Sequence, residues 1–408
     1  MSSEIASGKC QSSQQHPGRL RSRGRLFAKF ALLLGSLTLT LLVIEIGLHW
    51  AGAQPPTATV FGTFFEYSPN TSWRGKPNAA GRFKTSNFDA FTSHDADGFR
   101  RCNIDAPIAS DATSSQCVVW VLGDSMVWGW GVEDGKTCVD FLNESSRLTG
   151  YGAKYRNLGH PGFSSLQEYL LLKELLTAGY KPNQVLVAYC DNDLTENLDE
   201  QGERPYLRIT AETPEIMNHP VARSRLRDFS WWMKSHCRSW NFVSYYWASW
   251  QHQRRHRRDL KAAAAAEVAA ANKKLTTPNG AAESANSVEE DAVPTEQRLA
   301  LRYSYQLMRD LCYEHGISFA VVSDFRPQKT LRNTCDELSI QLLDISDALS
   351  RNKNSLDESR PRHFQTDPHL TEFGNQLMAE GIEAELRRNF THKYRKWLLS
   401  RPTPQRRN

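Results

Sequence analysis

The sequence predicts an α/β domain built on a parallel sheet and carried behind a membrane-spanning helix. Three observations predict it. Short apolar runs, CVVWVL at 117–122 and QVLVAY at 184–189, alternate with segments whose apolar residues recur at helical spacing. Apart from Gln184 those runs are apolar throughout, which suits strands covered by helices on both faces. Residues 30–50 (FALLLGSLTLTLLVIEIGLHW) are apolar except for Glu45 and His49, and about 20 apolar residues in a helix span the bilayer hydrocarbon.

The 408 residues suffice for one large or two ordinary domains. Hydrophobic residues make up 40% and charged residues 23%, so the chain is neither disordered nor collagen-like as a whole. The net charge of +5 sits in the tail 1–29, where Lys9, Arg19, Arg21, Arg23, Arg25 and Lys29 face one acid, Glu4. The rest of the chain sums to zero, so charge gives no support for nucleic-acid binding. Basic residues flanking an apolar span stay cytoplasmic, which makes 1–29 a cytoplasmic tail, 30–50 a signal anchor and the remainder extracytoplasmic. A cleaved signal peptide is the alternative reading, with Ala51-Gly52-Ala53 as the small-residue cleavage site. The length of the apolar run favours the anchor. Glu45 stands close enough to the outer end to reach the interface.

The elements follow in order. Residues 51–115, rich in Pro, Ser, Asn and Gly, read as an irregular lead-in. The main domain is expected over 116–390. It opens with the strand 117–122, then a helix over 136–148 and a weaker strand at 155–158. A helix over 166–176 stops near Gly179 and Pro182, and a buried strand follows at 184–189. After an interruption come an amphipathic helix over 296–315 with Gly316 as its stop, a strand at 317–322, a helix over 337–349 and a closing helix over 371–388. Within the interruption, 229–250 is dense in aromatics: Phe229, Trp231, Trp232, Trp240, Phe242, Tyr245, Tyr246, Trp247 and Trp250. A helix packed on the domain is the favoured reading; a lid, a glycan-stacking surface and a membrane-interface patch are its rivals. Residues 252–297 read as a low-complexity insertion, first Ala-rich and helical, then polar and disordered. Residues 391–408 form a basic tail, solvated or lying on an anionic surface.

Eight cysteines are present, Cys10 before the anchor and seven beyond it. An odd number on the far side leaves at least one outside any intrachain disulfide. None stands in a CxxC pair, which argues against a zinc knuckle, and buried thiols explain most of them.

Four short segments carry chemistry, each at a strand end or just before the last helix, where parallel sheets place their ligands. Gly123-Asp124-Ser125-Met126 puts a serine on the turn after the first strand. Its hydroxyl is exposed there and its own N–H can face a developing oxyanion. Val127 stands where a GxSxG elbow needs glycine, which disfavours the α/β-hydrolase arrangement. Asn157-Leu158-Gly159-His160-Pro161-Gly162 follows the second strand, with Gly162 able to bring its N–H close to a reacting group. Cys190-Asp191-Asn192-Asp193 follows the third, where the Asn192 amide can donate a further hydrogen bond. Asp367-Pro368-His369 precedes the closing helix and supplies a general base with a carboxylate to orient it.

In order and placement these blocks resemble the SGNH (GDSL) hydrolase superfamily, over roughly residues 96–390. Gly98-Phe99-Arg100 is similar to the lead-in of its membrane-anchored bacterial members. The resemblance implies a three-layer α/β/α, flavodoxin-like fold. It implies Ser125 as nucleophile, His369 as base and Asp367 as the third triad member, with Ser125, Gly162 and Asn192 as the oxyanion hole. Two departures stand out: Cys190 replaces a glycine of the third block, and Thr366 stands where a DxxH acid often lies, leaving Asp367 two residues before the histidine.

The expected function is an extracytoplasmic serine esterase or O-acyltransferase. It would act on an ester-bearing substrate such as an acylated cell-surface glycan, with no metal, cofactor or nucleic acid. Trp128 and Trp130 flank the serine, either to stack on a sugar or to pack beneath the loop. Two rivals come from other classes. One is a metal-dependent phosphoesterase using Asp124, Asp191 and His369; the other is a non-catalytic binding or assembly protein on the same fold.

Overall fold

The computed structural model describes residues 18–51, 53, 60–85, 87–103, 117–149, 153–200, 204–210, 213–217, scattered positions within 229–254, and 293–323, 329–346 and 361–399. The Ala-rich and polar stretch of the insertion and the end of the basic tail lie outside the described residues.

Helix α1 (Gly18–Trp50) contains an apolar segment, Phe27–Trp50, long enough to cross a bilayer. None of that segment is buried against the rest of the molecule (mean hydropathy 2.2). Its Leu, Ile and Val side chains face outward, and its length matches the hydrocarbon thickness of a bilayer.

The central sheet holds β5 (Cys117–Leu122), β6 (Ala153–Asn157), β7 (Gln184–Ala188), β10 (Ser318–Val322) and β11 (Gln341–Leu343). Their spatial order is β11-β10-β7-β5-β6, and every pairing is parallel. Counted along the chain this is the 2-1-3-4-5 order of flavodoxin-like sheets, so the expected fold class is the observed one. Alternation along each strand divides the core. Val118, Trp120 and Leu122 of β5 join one apolar cluster, with α5 (Ser165–Thr177), α7 (Thr295–Glu314) and α8 (Lys329–Glu337). Val119 and Val121 join the other, with α4 (Cys138–Thr149) and α9 (Glu372–Leu399). The buried Cys138, Cys312 and Cys335 belong to these clusters, and burial pushes their thiols up to about 12.

Two expectations change. The helix read over 337–349 is instead the end of α8 followed by β11. Leu331, Thr334 and Cys335 bury one helical face, whereas Gln341–Leu343 is too short for periodicity to separate strand from helix, and pairing with β10 decides it. The lead-in is not irregular throughout. It folds into α2 (Val60–Thr63) and two hairpins, β1 (Phe65–Ser68) with β2 (Ser72–Gly75) and β3 (Ala80–Lys84) with β4 (Asp89–Ser93). Phe64, Phe65, Trp73, Phe83 and Phe99 enter the core beside β5. A third hairpin, β8 (Tyr206–Thr210) with β9 (Thr213–Met217), follows α6 (Asp193–Glu196).

The hairpins bring polar groups under the sheet edge. Arg100 is buried, ion-paired to Asp134 at 3.1 Å, and donates to Thr92 Oγ1 and the Val132 carbonyl at 2.8 Å each. Its guanidinium lies 5.1 Å over the Trp128 ring. Trp128 donates through Nε1 to His94 Nε2 at 3.1 Å, and His160 Nε2 accepts the Gly75 N–H at 3.3 Å. Burial, helped at His94 by the charges of His160 and Arg100, holds the His94 imidazole down to about 3. Burial alone holds His160 to about 4.

These two histidines set an acid sensitivity. Their folded-state values lie below the unfolded value of 6.5, so the unfolded chain binds more protons as pH falls. Their contribution to stability is complete above about pH 6.5 and is lost progressively toward pH 4. Urea-denaturation midpoints of the detergent-solubilised full chain are expected to fall steadily over that window, and His160→Asn should flatten the fall; a midpoint independent of pH there contradicts this reading.

Candidate active site

Parallel β5, β6 and β7 end on one sheet edge, so the segments after them emerge side by side. After β5 the chain turns at Gly123 into the one-turn helix α3 (Ser125–Trp128). Asp124 caps it: Oδ1 accepts the Met126 N–H at 2.9 Å, and Oδ2 lies 3.4 Å from Ser125 Oγ. Asp124 is buried; burial pushes its carboxyl up, opposed by hydrogen bonds from the Met126 N–H and the Cys190 thiol. The third-block cysteine thus supports the carboxylate beside the serine.

Ser125 Oγ lies 2.8 Å from His369 Nε2, across a sequence separation of 244. His369 Nδ1 makes a short contact with Asp367 Oδ1, which also accepts the His369 backbone N–H at 3.0 Å. A proton on Nδ1 facing that carboxylate leaves Nε2 as the acceptor for the serine hydroxyl. Thr366, at the alternative acid position, instead gives its hydroxyl to Asn87 Oδ1 at 2.9 Å. The loop is pinned by the Phe364 N–H on the His369 carbonyl and by the Cys138 N–H on Asn375 Oδ1. Trp130 stacks on the His369 ring, centroids 5.1 Å apart and planes 23° apart, and fixes its orientation. Trp128 is fully buried and bonded to His94, so of its two readings the packing one holds.

After β6, Asn157 turns inward. Its Nδ2 donates to the Val127 carbonyl at 2.7 Å and its Oδ1 accepts the Gly159 N–H at 3.0 Å. A Cβ on Gly159 would come within 2.3 Å of the Trp128 nitrogen, so only glycine lets this loop touch α3. Gly162 has φ of +71°, with room for a side chain but a backbone that disfavours one. Among the described residues neither the Ser125 nor the Gly162 N–H meets an acceptor. After β7, Asn192 Nδ2 donates to Glu196 Oε2 at 2.8 Å.

Sequence reasoning missed the residues that join the last two segments. Glu196 is ion-paired to Arg204 at 2.7 Å, and Arg204 Nη1 donates to the Gly162 carbonyl at 2.9 Å. The guanidinium lies 5.6 Å over Trp73, whose Nε1 donates to the Pro161 carbonyl at 3.2 Å. One bridge therefore ties Asn192 to Gly162. Arg204 stands outside every motif, and no spacing pointed to it. Beneath the site lie the buried carboxyls of Glu168 and Asp193. Burial first, then neighbouring carboxyls, pushes both well above the usual range. Among the described residues no group of three or more His, Cys, Asp or Glu side chains is arranged to hold a metal. Asp124 and His369 are both engaged with the serine.

No family model matches the sequence, and no curated protein matches it. Solved structures similar to the chain are esterases and lipolytic hydrolases. They include a putative lipolytic protein of the G-D-S-L family from Desulfitobacterium hafniense DCB-2 (11% identity, covering 66% of this chain and 100% of that one, TM-score 0.34). They also include TesA (12% identity, 66% and 98% covered, TM-score 0.36) and an acetyl xylan esterase from Geobacillus stearothermophilus (10% identity, 67% and 95% covered, TM-score 0.34).

The bridge generates a test. Arg204→Met releases the Gly162 carbonyl and unpairs Glu196 from its cation, and a misplacement of about 1 Å in such a site can cost on the order of 100-fold. Phosphonylation of Ser125 by a fluorophosphonate is expected to slow by roughly tenfold or more, with the melting temperature little changed. An unaltered rate would remove the bridge from the site's machinery.

Proposed function

We propose that the protein is a serine esterase of SGNH (GDSL) type, held by α1 in the cytoplasmic membrane with its α/β domain outside. The observation that carries the reading is the chain Asp367–His369–Ser125 at the sheet edge where Gly162 and Asn192 also stand.

In this reading Ser125 Oγ attacks the carbonyl carbon of an acyl ester while its proton passes to His369 Nε2. Asp367 stabilises the imidazolium. The N–H groups of Ser125 and Gly162 and the second N–H of the Asn192 amide hold the oxyanion of the tetrahedral intermediate. Collapse expels the alcohol, which takes the proton from His369, and leaves an acyl group on Ser125. His369 then deprotonates an acceptor hydroxyl that attacks the acyl carbon, restoring the serine. Water as acceptor gives hydrolysis and a sugar hydroxyl gives O-acyl transfer. An extracytoplasmic site makes an O-acylated surface glycan the natural ester substrate. The basic residues before the apolar helix support the topology.

Ser125→Ala is expected to abolish p-nitrophenyl acetate hydrolysis and fluorophosphonate labelling without unfolding the protein; persistence of turnover refutes the assignment. Asp367→Asn should lower kcat by about 10³- to 10⁴-fold, because the imidazole would then favour the wrong tautomer. Near wild-type activity in that variant would transfer the orienting role elsewhere. The mass of the trapped acyl adduct on Ser125 would identify the acyl group.

A further inference from the structure

We propose that residues 229–250 form a second membrane contact, lying in the outer headgroup layer of the same bilayer that α1 spans. The inference rests on the spanning reading of α1 given above and is independent of the esterase chemistry.

The first support is a two-way tie between this segment and the outer end of α1. The Glu45 carboxylate accepts the Arg238 N–H at 2.6 Å, the Ser239 N–H at 2.9 Å and the Ser239 hydroxyl at 2.6 Å. In return, Arg238 Nη1 donates to the Leu48 carbonyl at 3.0 Å and reaches the Ala53 carbonyl at 3.5 Å. Those carbonyls belong to the last turn of α1 and the residues after it; the Leu48 carbonyl also accepts the Ala53 N–H at 3.0 Å. The acid that interrupts the apolar run is thereby matched to donors from the distant segment.

The tie fixes the depth. Glu45 precedes Trp50 by five positions, about 7.5 Å along a helix axis. The helical run 238–244 therefore meets α1 where hydrocarbon gives way to headgroups.

The surface suits that depth. Phe229, Trp232, Val243, Tyr246, Trp247 and Trp250 are each between 45% and 65% exposed. Trp and Tyr pair an apolar body with a polar tip and concentrate at membrane interfaces. A patch of such residues facing water marks a surface that another phase covers. Trp50, at the end of the span, is almost wholly exposed at the same level. Charge agrees: Arg254 lies 4.4 Å over the Trp250 ring, and Arg255, Arg257 and Arg258 follow in sequence, a cluster complementary to anionic headgroups. Among the described residues the segment touches the end of α1 through Arg238 and Ser239, and six of its large apolar side chains face outward.

The full-length protein, reconstituted in phosphatidylcholine–phosphatidylglycerol vesicles containing a diazirine phospholipid, gives the test. After irradiation and digestion, lipid adducts are mapped by mass spectrometry. Adducts are expected on peptides from 229–250 as well as from 27–50, with yields at 229–250 roughly tenfold above those of the partly exposed hairpin 80–93. Adducts confined to 27–50 would overturn the proposal and leave the anchor standing. Adducts on neither would overturn both, and the esterase assignment would be untouched in each case.

Discussion

The parallel pairing of β5 with β6 on one side and β7 on the other is the constraint from which the site follows. Val121 stands opposite Asn157 and Leu122 opposite Val187, so the three strands end together. A parallel sheet gives each strand the same direction, and the segments that follow must leave from one edge. Ser125, Gly162 and Asn192, distant in the chain, become neighbours for that reason alone. His369 arrives from outside the sheet, on a loop pinned to α4 through Asn375 and held flat by Trp130. In the proposed reading, strand ends supply the groups that face the substrate carbonyl, and a loop before the last helix supplies the base.

A second layer of contacts makes that edge rigid. The lead-in hairpins pack His94 and Arg100 against Trp128 of α3: His94 accepts from the indole, and the Arg100 Nη groups reach Thr92, Val132 and Asp134. Burial disfavours protonation of both imidazoles and makes them weak bases, leaving them as fixed hydrogen-bonding groups. On the far side, Arg204 links Glu196 to Gly162 and lies on Trp73. Donors held this way need little rearrangement when charge develops on a substrate, which is how preorganised sites lower barriers.

The same logic governs the N-terminal helix. Glu45 interrupts the apolar run of α1, and a carboxylate in apolar surroundings is costly without partners. Its donors come from Arg238 and Ser239, nearly two hundred residues away. The acid thus couples α1 to the aromatic segment.

Much of this molecule was legible in its residues. Unbroken apolar strand runs and helical periodicity determined the α/β class, the length of the apolar run determined α1, and the four blocks indicated Ser125, Gly162, Asn192, Asp367 and His369. These are local signals, because burial on both faces and tight strand-end turns leave their mark within a few residues. Folding alone decided the rest. β11 is three residues long and becomes a strand only because β10 offers it an edge. The lead-in looked irregular because its hairpins are short, and their aromatics acquire meaning only against β5. Asp367 reaches the imidazole from two residues before it, while Thr366 turns to Asn87. Arg204 reaches Gly162 over 42 positions and Arg238 reaches Glu45, Leu48 and Ala53 over 185 to 193, and contacts closed over such distances carry no periodicity that a linear reading can detect.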